Sequence, residues 1–228
     1  MKRKFLDKSF NFLVAEANMA MQKIIVSSLR NIGYTNVYTA YDGQNAWEVL
    51  SSHKIDIILS ELAMPIMNGL ELLTKIRASD AYWNTPFIVI SSESRQSRIM
   101  YSTEEEIDAY IVKPLTTDTL AKHVNKILKD RYAPDAYYSA LYSAKAELRK
   151  GNTNEALMAF QEANALNSHQ TTPYFYMGQI LEEFDQYDMA LENYQKCDDR
   201  SNSLYVRAFD GLSRIHIKRK TMWLPPAP

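Results

Sequence analysis

Ile55-Asp56-Ile57-Ile58-Leu59-Ser60-Glu61-Leu62-Ala63-Met64-Pro65, running on to Asn68-Gly69, is the stretch on which the fold turns. Ile-Ile-Leu is continuously apolar, as a strand buried on both faces must be. Pro65 and Asn68-Gly69 then break the run into a loop. On either side the same pattern recurs. Phe10 to Ala15, Val37 to Ala40, Phe87 to Ser91 and Ala109 to Val112 are further short β-rich runs. Between and after them come helical periodicities over Met19 to Ile32, Gln44 to Ser52, Leu70 to Arg77 and Thr117 to Lys129. Five strands alternating with helices predict an α/β fold, a five-stranded, doubly wound parallel sheet over roughly residues 1–130. In such sheets ligands collect at the carboxyl ends of the strands, which directs attention to Glu16, Glu61, Ser91 and Lys113.

Composition narrows the function classes. The 228 residues carry 26 Lys plus Arg against 27 Asp plus Glu, a balance that does not favour binding by phosphate neutralisation, so no nucleic-acid partner is expected. Apolar runs are far shorter than the ~20 residues of a membrane span, and Asp7, Ser9 and Asn11 interrupt what would be a signal peptide's apolar core. A cytoplasmic protein without membrane contact is expected. Cys197 is alone and the four His are scattered, which predicts no metal cluster and no cofactor.

After Ala133-Pro134 the strand pattern stops, and a shift of 34 residues superposes the chain on itself. Ala144 falls on Gly178, Ala156 on Ala190, Leu157 on Leu191, Phe160 on Tyr194 and Ala163 on Cys197. Small residues recur where helices cross closely and large ones where the next layer fills. This pattern resembles the tetratricopeptide repeat (TPR), a stacking helix-turn-helix unit. After a 131–136 linker, two repeats are expected at about 137–170 and 171–204, then a capping helix from Leu204 to Lys218 within a domain ending at 222, and a tail over 223–228. The resemblance implies a groove built on the first helix of each repeat, with Tyr138, Leu141, Lys145, Leu148 and Arg149 in one and Thr172, Phe175, Gln179, Glu182 and Glu183 in the other.

Glu16-Ala17-Asn18, Glu61 through Met64-Pro65 to Asn68-Gly69, Ser91-Ser92 and Lys113-Pro114 stand at the spacings of the CheY-like receiver domain of two-component signalling, which the first 130 residues resemble. The resemblance implies a flavodoxin-like fold, a switch aromatic at Tyr110 and a cis peptide aiming Lys113 into the site. It also implies departures. Receivers use a pair of acidic residues after the first strand to hold Mg²⁺, and an Asp at the position of Glu61 to take the phosphoryl group. Ala17 supplies no ligand oxygen, and the extra methylene of Glu61 displaces the carboxylate by ~1.5 Å. Displacements of about 1 Å cost on the order of a hundredfold in rate. No catalytic residue and no useful phosphorylation are therefore expected. Glu61 has three readings at this point: a mimic of the phosphorylated state, a partner that satisfies Lys113, or drift in an unused site. The segment from Ser94 to Asp108 is a poor helix and puts in doubt any standard receiver dimer.

The resemblance further implies a partner, a sensor histidine kinase or phosphotransfer domain, contacted through Met19, Met21, Ile25, Ile66 and Pro114. Occupying that partner would withhold it from a competent response regulator. A constitutive scaffold whose repeats recruit another protein is the alternative, and residual phosphoryl acceptance by Glu61 a third.

Overall fold

The structure is a computed structural model that describes residues 8–92, 107–197 and 204–222. Its described strands are β1 (Phe12–Ala15), β2 (Val37–Ala40), β3 (Ile57–Ser60), β4 (Phe87–Ser91) and β5 (Ala109–Val112). The helices are α1 (Met19–Asn31), α2 (Gly43–Ser52), α3 (Gly69–Ala78), α4 (Thr117–Tyr132), α5 (Ala136–Arg149), α6 (Thr153–Leu166), α7 (Thr171–Glu183), α8 (Tyr187–Gln195) and α9 (Leu204–Met222). The chain divides into two compact units, with the change between Ala133 and Pro134.

In the first unit all strand pairs are parallel, in the order β2-β1-β3-β4-β5. The centre of the sheet is β1, β3 and β4, every residue of which is buried, as their unbroken apolar runs require. One face packs Phe12, Val14, Ile57, Leu59, Ile88 and Ile90 against Ile25 and Leu29 of α1 and Leu120, Val124 and Leu128 of α4. The alternate residues Leu13, Ile58 and Val89 point to the opposite face, on which α2 packs against β1 and against α3. Two strands begin later than their apolar runs. Phe10 and Ile55 are buried, but the paired register starts at Phe12 and Ile57; just before it the Asn11 carbonyl still accepts from the Asp56 amide at 2.9 Å, while the Asn11 amide donates to the Asp56 carboxylate and its side chain to the Lys54 carbonyl. Conversely α4 runs past Lys129 to Tyr132, whose hydroxyl donates to the Asp56 carbonyl at 2.9 Å. Tyr132 thus belongs to this unit rather than to a linker. Most of the stretch from Ser94 to Asp108, and the tail over 223–228, lie outside the described residues. Asp108 itself accepts from the Phe87 amide at 2.8 Å and pairs with Arg77 at 3.1 Å.

Among the described residues the regular structure of the second unit is all helical. Helix α5 packs on α6, α6 on α7, α7 on α8, and α9 on both α7 and α8. Gly151 turns α5 into α6 at φ +81°, a conformation open to glycine at little cost. Its core joins Tyr137, Leu141, Ala144, Ala156, Phe160, Phe175, Ala190 and Tyr194. The Tyr194 ring lies between two glycines. A Cβ on Gly178 of α7 would come within 2.7 Å of it, and one on Gly211 of α9 within 2.6 Å. Close helix crossing is what the small residues at a 34-residue period provide.

Candidate functional site

Three strand ends build the site. The amide of Glu61 donates to the Ala15 carbonyl at 2.9 Å, that of Glu16 to Ala40 at 3.0 Å and that of Lys113 to Ser91 at 2.9 Å. Each ladder therefore extends one residue past its strand and sets a charged side chain on the sheet's carboxyl edge. The loop after β3 is held in place by glycine. A Cβ on Gly69 would lie 2.2 Å from the Glu61 carbonyl oxygen, and one on Gly43 2.5 Å from that of Met67. Asn68 and Glu71 then form a capping box that starts α3.

Glu16, Glu61 and Lys113 meet. The Lys113 ammonium donates to Glu16 Oε2 at 2.8 Å and to Glu61 Oε2 at 2.5 Å. The other oxygens are also engaged: Glu16 Oε1 accepts from the Asn18 amide at 2.9 Å, and Glu61 Oε1 from the Leu62 amide at 2.6 Å and the Ala63 amide at 3.4 Å. Both carboxylates are buried and the lysine side chain is 13% exposed. Burial pushes the ammonium's pKa down, but its hydrogen bonds to Glu16 and Glu61 and their charges outweigh this, leaving it above the usual lysine range. The Lys113–Pro114 peptide is cis. Ser91 is buried at the end of β4, and Tyr110 is half-buried on β5 opposite Val89. Ala17 is exposed and offers only a methyl group.

Two further residues contribute: Gln22, which the sequence motifs do not include, and Asn18, which stands in the Glu16-Ala17-Asn18 motif without an assigned role. Gln22, in the first turns of α1, donates from Nε2 to the carbonyls of Glu16 at 3.2 Å and Ala40 at 2.9 Å. Asn18 both binds Glu16 and caps α1 through Oδ1. The second was legible as an N-cap Asn ahead of an apolar periodicity; nothing in the local sequence marks Gln22.

Residues 12–125, half of the chain, match the family described as the response regulator receiver domain. The chain belongs to that family. The receiver domain is 31% identical over 124 residues to chemotaxis protein CheY-3 of Vibrio cholerae, covering 54% of this chain and 95% of that protein. It is 30% identical over 117 residues to chemotaxis protein CheY of Pseudomonas aeruginosa, covering 51% and 94%. A sensor protein from Polaromonas sp. JS666 shares the fold, with a TM-score of 0.50 at 14% identity over 53% of this chain and 97% of that one. Receiver domains of two-component systems work with histidine kinases or phosphotransfer proteins. Among the described residues no helix is long and apolar enough to cross a membrane.

Does this receiver domain suit the divalent cation that its family's chemistry uses? Mg²⁺ demands near-octahedral oxygens at ~2.1 Å. All four carboxylate oxygens of Glu16 and Glu61 already accept protein hydrogen bonds, and Ala17 adds none. Among the described residues no group of three or more His, Cys, Asp or Glu is placed to hold a metal. The donor set does not fit.

The expected contact residues divide. Met19 (69% exposed), Ile66 (81% exposed) and Pro114 are on the surface, and Met21 is half-buried against the core. Ile25 is a correction: at 2% exposure it is core, because it lies on the sheet-facing side of α1. In the helical unit Leu141 and Phe175 are likewise corrections, sealed in the core by the neighbouring helices. Glu182 is a third. It is buried, accepting from the Tyr194 hydroxyl at 2.9 Å and Arg214 Nη2 at 3.0 Å, so α9 already claims it. Tyr138, Lys145 and Gln179 are half-buried and Arg149 is exposed.

Proposed function

We propose that this chain is a non-phosphorylatable receiver, a regulatory protein that docks on a sensor histidine kinase or phosphotransfer domain and lowers phosphoryl transfer to the competent response regulator. The observation that carries the reading is the Lys113 ammonium 2.5 Å from Glu61 Oε2. Phosphoryl transfer needs an acceptor oxygen free for in-line attack and cations placed on the transferred oxygens. Here Glu stands for the acceptor Asp, each of its oxygens is bonded to a protein donor, and the lysine that would steady the phosphoryl group is held by two carboxylates.

Docking survives the loss of that chemistry because it uses the rim. Met19 and Ile66 are exposed apolar residues beside the site. Ile66 also holds φ at +64°, a left-handed conformation that a β-branched residue adopts only at a cost. The helical hairpins α5–α6 and α7–α8, read as TPR units, add a second contact through Tyr138, Lys145, Arg149 and Gln179, which raises residence by linkage. The second reading, a scaffold locked in a phosphorylated-like state, draws on the same geometry, since Glu61 reaches the ammonium a phosphoryl oxygen would reach.

The test mixes the full chain with a histidine kinase of its own genome, the cognate response regulator, ATP and Mg²⁺. Less label on the regulator and none on this chain is the expected result; undiminished transfer overturns the inhibitory role. Glu61→Ala separates the readings, since loss of kinase binding in that variant favours the locked mimic.

A further inference from the structure

Two carboxylates, Glu16 and Glu61, converge from β1 and β3 on one point, and that point is occupied by a side chain of the protein itself. We infer that the Lys113 ammonium is the resident cation of this site, held between the two carboxylates that a divalent ion would need, so that the domain neither needs nor binds Mg²⁺ or Mn²⁺. The ammonium lies 2.8 Å from Glu16 Oε2 and 2.5 Å from Glu61 Oε2, bridging strand ends that are 97 and 52 residues away in the chain. An incoming divalent ion has two routes, and each meets an obstacle. It can expel the ammonium, which means breaking both of these bonds and moving a side chain that is only 13% exposed. Or it can settle beside it, placing three positive charges within a few ångströms in a buried setting where repulsion is weakly screened. In either case the outward oxygens, Glu16 Oε1 and Glu61 Oε1, are committed to the backbone amides of Asn18 and Leu62. The exposed methyl of Ala17 gives the ion nothing in exchange.

The inference concerns the cation and is independent of the docking role. Mn²⁺ is titrated into the full chain and its free ion followed by electron paramagnetic resonance, while melting is followed in Mg²⁺ and in EDTA. The wild-type chain is expected to leave Mn²⁺ free at about 1 mM and to melt alike in both solutions. Lys113→Met removes the ammonium and leaves both carboxylates facing an empty place, so Mn²⁺ affinity rises by about tenfold or more. Lys113→Arg keeps the charge and stays metal-blind. Lys113→Gln, which can still hydrogen-bond the carboxylates, replaces the methionine variant if that one melts without a cooperative transition. Wild-type binding of Mn²⁺ tighter than about 1 mM overturns the inference, as does a folded Lys113→Met or Lys113→Gln chain that binds no better than wild type. A wild-type chain that binds metal and still suppresses transfer to the regulator overturns this inference alone. A metal-blind chain that leaves transfer undiminished overturns docking alone.

Discussion

At the residue scale the receiver site is a charge cluster whose members restrain one another. Glu61→Gln keeps the shape of the side chain and removes its charge, leaving Lys113 with Glu16 as its remaining carboxylate. The expected loss is about 1–3 kcal/mol in urea unfolding, below that of a fully orphaned buried charge because one partner persists. Alkaline pH acts in the same direction. Lys113 titrates above its usual 10.5, and burial pushes Tyr34 from 10.0 up to about 12. A group whose folded pKa is raised contributes stability that is complete below its unfolded value and is lost as pH climbs through the folded one. The urea midpoint is therefore expected to fall from about pH 10 upward, less steeply in Lys113→Met. Ile66 shows the opposite case, a residue whose local cost is uncompensated by packing: 81% exposed at φ +64°. Ile66→Asn, which tolerates that conformation, is expected to raise stability by about 1 kcal/mol while weakening kinase docking, a pairing that a purely structural residue does not produce.

At the element scale, close approaches decide. Gly69 lets the loop after β3 pass the Glu61 carbonyl, and Gly178 and Gly211 let α7 and α9 close on Tyr194. Alanine at Gly178 or Gly211 places a methyl inside the tyrosine ring's contact distance. Each is expected to cost about 1–3 kcal/mol in the thermal unfolding of the helical unit, as overpacking does. The elements themselves were largely legible. Apolar β-rich runs located all five strands of the sheet and helical periodicities the helices between them, while the N-caps Asn18, Asp42, Asn68 and Asp135 are where the structure fixes the helix starts. Strand ends were not legible, because a side chain can take a backbone group out of the ladder, as the Asp56 carboxylate takes the Asn11 amide just before Phe12 and Ile57. Helix α9 reaches Met222 rather than Lys218, since basic residues at a helix end suit both continuation and termination.

At the scale of the whole molecule the chain is two units, a receiver domain that its relatives cover and a helical unit beyond them. The sequence by itself determined the parallel α/β sheet, the 34-residue recurrence after Pro134, and the identity of the residues at the strand ends, because periodicity and spacing are local properties. Glu at 61 and Ala at 17 were equally plain. Only the tertiary structure brought Glu61 to Lys113, and only it sorted the apolar residues of α1, α5 and α7 into surface and core. A one-dimensional pattern gives the face a residue shares with its neighbours, but not whether another element covers that face. Ile25, Leu141, Phe175 and Glu182 share helix faces with contact residues in the sequence pattern, and each is covered in the structure. The site itself is a contact among residues up to 97 positions apart, and contacts of that reach exist only once the sheet has assembled its strand ends on one edge.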